Sequence, residues 1–129
     1  MLSKIYEEKI LFLQKSNDVI FILAENDNNE VVLLTHKNEN ICQIGIINLE
    51  YKQIKDVSIN FSQNLLGVVT TLNKLQIYKI SSTLHKMKVS PDSINGDQLK
   101  FNESGKYLCC YNASKINNIW YRTNDDWIR

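Results

Sequence analysis

What most constrains this chain is a recurrence: short apolar runs joined by turn residues come back at intervals of about forty residues, the spacing of blade-sized repeats. The stretch Leu99 to Trp120 shows the unit, with a run at Leu99 to Phe101, a turn around Gly105, a run at Tyr107 to Tyr111 and a third ending in Ile119-Trp120. This is a three-strand meander in outline. The same order occurs upstream as Val57-Ser-Ile-Asn-Phe61, the turn Ser62-Gln-Asn64, Leu65 to Thr71 and Leu75 to Ile80. A fainter copy runs from Val19-Ile-Phe-Ile-Leu23 through Val31 to His36 and closes at Ile44 to Leu49. In this reading Leu23, Phe61 and Phe101 stand at equivalent places.

The runs have the grammar of strands. Val57, Ile59 and Phe61 alternate with polar residues, which gives one apolar face, whereas Leu65 to Val69 and Val19 to Ala24 are apolar throughout and read as strands covered on both sides. Gly45 marks a bulge or a close backbone approach. Tyr51 to Ile54 and Leu84 to Val89 read as outer strands, the second kept soluble at a sheet edge by Lys86 and Lys88 and followed by Pro91. Ser90 to Asp97 is a loop between repeats, and Asp125 to Arg129 looks like the start of an unfinished outer strand. Ahead of the repeats, Lys9 to Gln14 reads as a lone strand. A helix over Glu7 to Leu13 competes with it, because Glu, Lys and Leu favour helices. The expected class is all-β: antiparallel meanders as about three blades of a partial β-propeller, within one domain 1–129, with repeats at about 19–54, 57–89 and 97–129.

Composition narrows the function classes. Fifteen basic against fourteen acidic side chains leave a net charge of +1, so no overall field draws in nucleic acid or an anionic membrane. No run reaches the eighteen or so apolar residues that span a bilayer, and the amino-terminal residues lack a signal-peptide pattern. Three cysteines, Cys42, Cys109 and Cys110, form no paired framework, which points to a reducing compartment, the cytosol or the nucleus. Asn and Ile each make up roughly one residue in eight, as AT-rich coding produces. Asn60-Phe-Ser62, Asn102-Glu-Ser104 and Asn112-Ala-Ser114 therefore read as chance matches to the glycosylation pattern.

With these residues in view, Phe61-Ser62 with the apolar run after it, and above all Leu99-Lys-Phe-Asn-Glu-Ser-Gly-Lys-Tyr-Leu108 followed by Ile119-Trp120, resemble the inner strands and third-strand Trp of the WD-repeat β-propeller family. The resemblance covers roughly residues 19 to 122. The family's signature pairs are missing: no Gly-His opens a repeat, and Trp120 is followed by Tyr121 rather than Asp. The resemblance implies a rigid platform for assembling other macromolecules, not catalysis. Three repeats leave apolar faces uncovered, since each blade buries its face only against a neighbour. A protein partner or self-association is expected to complete the propeller.

Sites of chemistry are sparse. Cys109 and Cys110 are neighbours on a strand and point to opposite faces, the arrangement of packed thiols rather than of a reactive pair. His36, Cys42 and His85 do not have metal-ligand spacing, although His36 and Cys42 could meet across a hairpin. Two histidines among scattered Ser and Asp form no nucleophile elbow or triad. Glu7-Glu8 and Asp125-Asp126 read as solvated surface, and the four glycines make no phosphate loop. Lys74, Lys79, Lys86 and Lys88 around Tyr78 read as a solvated edge in preference to a phosphate-binding strip. The expectation is a non-enzymatic scaffold or protein-interaction module, with no catalytic residue, metal or cofactor. The alternative is a compact non-propeller β domain that binds a small ligand or catalyses a reaction.

Overall fold

The computed structural model describes residues 10–16, 18–26, 30–47 and 54–129. Every regular element among them is a strand, so the chain is all-β. Its contacts divide it into two compact units, Met1–Lys52 with Ser82–Leu84, and Gln53–Ser81 with His85–Arg129.

The first unit holds a four-stranded antiparallel sheet in sequence order: β1 (Ile10–Ser16), β2 (Val19–Glu25), β3 (Val31–Lys37) and β4 (Asn40–Ile47). β1 is no lone strand; it pairs with β2 from Ile10 opposite Ala24 to Ser16 opposite Val19. The helix that competes for Glu7 to Leu13 is absent over Ile10 to Leu13. This pairing also moves Leu23 into the second strand of its sheet, so it is not the counterpart of Phe101, which lies in a first strand. Gly45 sits beside a bulge: Leu33 pairs with Gly45 and Leu34 with Gln43, leaving Ile44 as the extra residue. Residues 51–53 of the expected outer strand lie outside the described residues, and Ile54 begins the next sheet instead.

That second sheet is β5 (Ile54–Asn60), β6 (Leu65–Thr70), β7 (Leu75–Ile80) and β8 (Leu84–Lys86). Every residue of β6 is buried, as its continuous apolar run requires. Phe61 lies beyond the strand, in the turn 61–64. Its expected equivalence with Phe101 shifts accordingly: Ile59 and Phe101 are each the last residue before a turn-forming Asn, Asn60 or Asn102, and the repeat is 42 residues.

The expected outer strand Leu84 to Val89 is two strands. Met87, buried at 3% exposure, breaks it, its N–H still bonded to Ile77 O at 2.8 Å. β8 stays with the second sheet, while β9 (Lys88–Ser90) crosses to the third. The third sheet runs β10 (Gln98–Phe101), β11 (Tyr107–Asn112), β12 (Lys115–Thr123), β13 (Asp126–Ile128), then β9, which lies parallel to β13. The carboxy-terminal residues Asp126–Ile128 do form a strand, and it is paired on both sides rather than lying at an outer edge.

Within the second unit the second and third sheets stack face to face. Leu65, Val69, Leu75 and Ile77 on one side meet Leu99, Phe101, Leu108, Trp120 and Trp127 on the other, with Met87 and Ile94 closing the margin. First strand lies along first strand. Leu99 N donates to Asp56 Oδ2 at 2.7 Å, Phe101 N to Ser58 Oγ at 3.2 Å, and Asn60 Nδ2 to Asn102 O at 2.7 Å. Polar side chains on the inner strand thus satisfy the free edge of the next sheet, and apolar side chains on the outer strands fill the space between.

Candidate interaction surface

The stacking of these two sheets supplies a template for reading the surface. On the second sheet the face that receives its neighbour presents Ser58, Leu65, Gly67 and Ile77, with Ser58 opposite Gly67 and Gly67 opposite Ile77 in the ladder. Gly67 is needed there: a methyl group on it would stand 3.3 Å from Cε2 and Cζ of Phe101. Phe101 thus seats in a socket floored by backbone.

One repeat later the same positions are Lys100, Tyr107, Cys109 and Ile119, with Lys100 opposite Cys109 and Cys109 opposite Ile119. These side chains point away from the buried core, because they alternate with Leu99, Phe101, Leu108, Cys110 and Trp120. Here the socket is open. Lys100, Phe101, Asn102, Tyr107, Cys109 and Ile119 line a hollow of about 360 Å³ that is almost wholly apolar. Around it the same face exposes Tyr107 at 51%, Ile119 at 49%, Ile116 at 55% and Tyr121 at 45%. A contiguous exposed apolar face rimmed by polar residues is the signature of a contact surface.

An Asn side chain orders the turn that ends the first strand of the second sheet and of the third, through different bonds in each. Asn60 Oδ1 accepts from Ser62 Oγ at 2.9 Å and Gln63 N at 2.8 Å; Asn102 Oδ1 accepts from Lys106 N at 3.1 Å and Tyr107 N at 2.9 Å, while its Nδ2 donates to Ser104 Oγ at 2.8 Å. The Asn-x-Ser matches at these two places are turn-forming residues at equivalent strand ends. Their 42-residue spacing was the available signal.

A second hollow, of about 420 Å³, opens beside these turns, lined by Gln63, Ser104, Gly105, Lys106, Arg122 and Asn124. Arg122 Nε is held by Asn124 O at 2.8 Å. Among the described residues neither Arg122 nor Lys106 forms an ion pair, so both cations remain open to an anion from solution.

The other sequence candidates are dispersed. His36 pairs with Ile41 and Cys42 with Thr35, so His36 and Cys42 project to opposite faces of their hairpin. No cluster of three metal-ligating side chains exists among the described residues. Cys109 is half-buried in the open socket and Cys110 is buried in the core, as their adjacency on a strand requires; all three cysteines are free thiols. Burial pushes the Cys110 thiol above the usual thiol range, against the pull of Lys55. The lysine strip is divided: Tyr78 is buried and donates to Gln76 Oε1, Lys74 pairs with Asp92 at 3.5 Å, and Lys86 and Lys88 belong to different sheets. Glu7-Glu8 lies outside the described residues.

No protein-family model matches the sequence, and no curated protein matches it. No helix among the described residues is long and apolar enough to cross a membrane.

Proposed function

We propose that the chain is a non-enzymatic protein-interaction module, built as successive blades of the propeller type, whose outward sheet face takes a protein partner. The observation behind this reading is where the exposed large apolar side chains lie. Ile10, Leu11, Leu13, Ile41 and Ile46 belong to the first sheet, and Tyr107, Ile116, Ile119, Tyr121 and Ile128 to the outward face of the third. Among the described residues the strands of the second sheet expose none; Leu72 is in a turn. Where one sheet hides its face against the next, as the second does against the third, the face of the third turned away from that contact is left uncovered. Free thiols fit a reducing compartment, the cytosol or nucleus.

The test is affinity capture with the tagged full chain, compared with an Ile119→Asp variant. Ile119 is half-exposed, so a charge there alters the surface and spares the core. Proteins retained by the wild type and lost from the variant are the expected result. Identical capture by the two, with near-ultraviolet spectra showing both folded, overturns the reading.

A further inference from the structure

We infer that the hollow beside the turns of the second and third sheets binds a small phosphomonoester, with Arg122 and Lys106 as the residues that hold its phosphoryl group. The site is separate from the apolar face, and it stands without the interaction reading above.

Backbone pairing is what brings the two cations together. Tyr107 lies opposite Tyr121 in the β11–β12 ladder, and Arg122 N donates to Lys106 O at 2.9 Å, so the next pair of the ladder sets Lys106 directly across from Arg122. Like charges directly opposite one another repel and cost stability. A carboxylate within reach would offset that repulsion. Among the described residues neither cation is in an ion pair, and Glu103, Asp125 and Asp126, the acids closest in sequence, are absent from the lining of the hollow. An anion seated between the two cations supplies the missing charge.

The lining is also one-sided in its hydrogen bonding. Arg122 is half-buried, and its Nε donates to Asn124 O at 2.8 Å, which steadies the guanidinium and leaves both Nη nitrogens for a bidentate contact. Lys106 brings an ammonium, which only donates. Ser104 Oγ already accepts from Asn102 Nδ2 at 2.8 Å and from Lys106 N at 3.3 Å, so its lone pairs are used and its O–H is left to donate. Donors on three side chains, two of them charged, match a phosphoryl group, which is close to doubly negative and accepts at three oxygens, better than a singly charged carboxylate. Size settles the rest. A hollow of about 420 Å³ has the volume of a small-molecule site and far exceeds what a phosphate ion fills, so the group arrives on a compact polar body lying against Gln63 and Asn124. Gly105 lets the wall from the second sheet close up, since a Cβ there would stand 2.5 Å from Gln63 Cγ.

The probe is glycerol phosphate, titrated into the isotope-labelled full chain at constant ionic strength and followed by amide and Arg122 Nε–H resonances. The expected result is saturable shifts at Ser104, Gly105, Lys106 and Arg122 with a Kd below about 5 mM, at least about threefold tighter than for inorganic phosphate. Arg122→Gln and Lys106→Gln should each weaken binding by about fivefold or more. Lys106 is exposed, so its variant keeps the fold, which unchanged resonances elsewhere verify. Shifts that fail to saturate by about 20 mM, or that saturate equally in Lys106→Gln, overturn the site. Inorganic phosphate binding as tightly as the ester, or a phosphoserine peptide binding more tightly than it, overturns the assignment to a small phosphomonoester.

Discussion

Asn60 shows how much one polar side chain can decide. It is 7% exposed, and its amide donates to two backbone carbonyls of the next sheet, Asn102 O and Glu103 O, while its oxygen orders its own turn. Asn60→Ala removes these part-buried bonds together with those that order its turn and is expected to cost about 1–3 kcal/mol, against about 1 kcal/mol or less for Asn102→Ala, whose bonds lie in an exposed turn. Urea denaturation followed by Trp emission measures both. As a residue type Asn60 was visible in the sequence, but its partners lie 42 and 43 positions away, so its role was not. Cys110 gives a pH signature. Its raised thiol pKa, caused first by burial, means the folded chain holds that proton more tightly than the unfolded one. The resulting stability is complete below the unfolded thiol's pKa and is lost as pH rises through the folded value. Between about pH 7 and about pH 10 the wild type should therefore lose more stability than Cys110→Ala, in urea midpoints compared at each pH.

Among the elements, β10 lies along β5, and the crossing at Met87 and the short β13 add to the join between the third sheet and the second. β13 delivers Trp127 to the core, where its ring lies 5.6 Å from that of Phe101, and β9 flanks it after leaving the second sheet. The two tryptophans differ in the hydrogen bonding of their indole N–H. Trp120 Nε1 donates to Pro91 O at 2.9 Å, whereas Trp127 Nε1 is buried without a partner. Trp120→Phe is expected to destabilise by about 1 kcal/mol more than Trp127→Phe, because only the first also loses a hydrogen bond. Thermal or urea unfolding of the two variants checks this. The strands themselves were legible: β6 and β7 follow the apolar runs almost residue for residue. The exchange of β9 was not, because Leu84 to Val89 has the pattern of one edge strand and nothing local says where a strand changes partner.

For the molecule as a whole, the distribution of uncovered apolar surface is the property with consequences. The outward face of the third sheet should bind an apolar dye such as ANS, and Ile119→Asp should lower that emission while Trp emission from Trp120 and Trp127 stays that of a buried core. Equal dye binding by the two would place the open surface elsewhere. By itself the sequence determined the all-β class, the meander order and most strand positions, because turn residues and apolar periodicity act over a few neighbours. It also set the opposite faces of Cys109 and Cys110, a consequence of the two-residue strand repeat. Only the tertiary structure decided that the repeat is counted from Asn60 to Asn102, that the strand after Leu84 divides between two sheets, and that Cys109 floors an open socket where Gly67 floors a filled one. Each of these depends on which sheet lies against which, and that is fixed by contacts between residues some forty positions apart, to which a local pattern is blind.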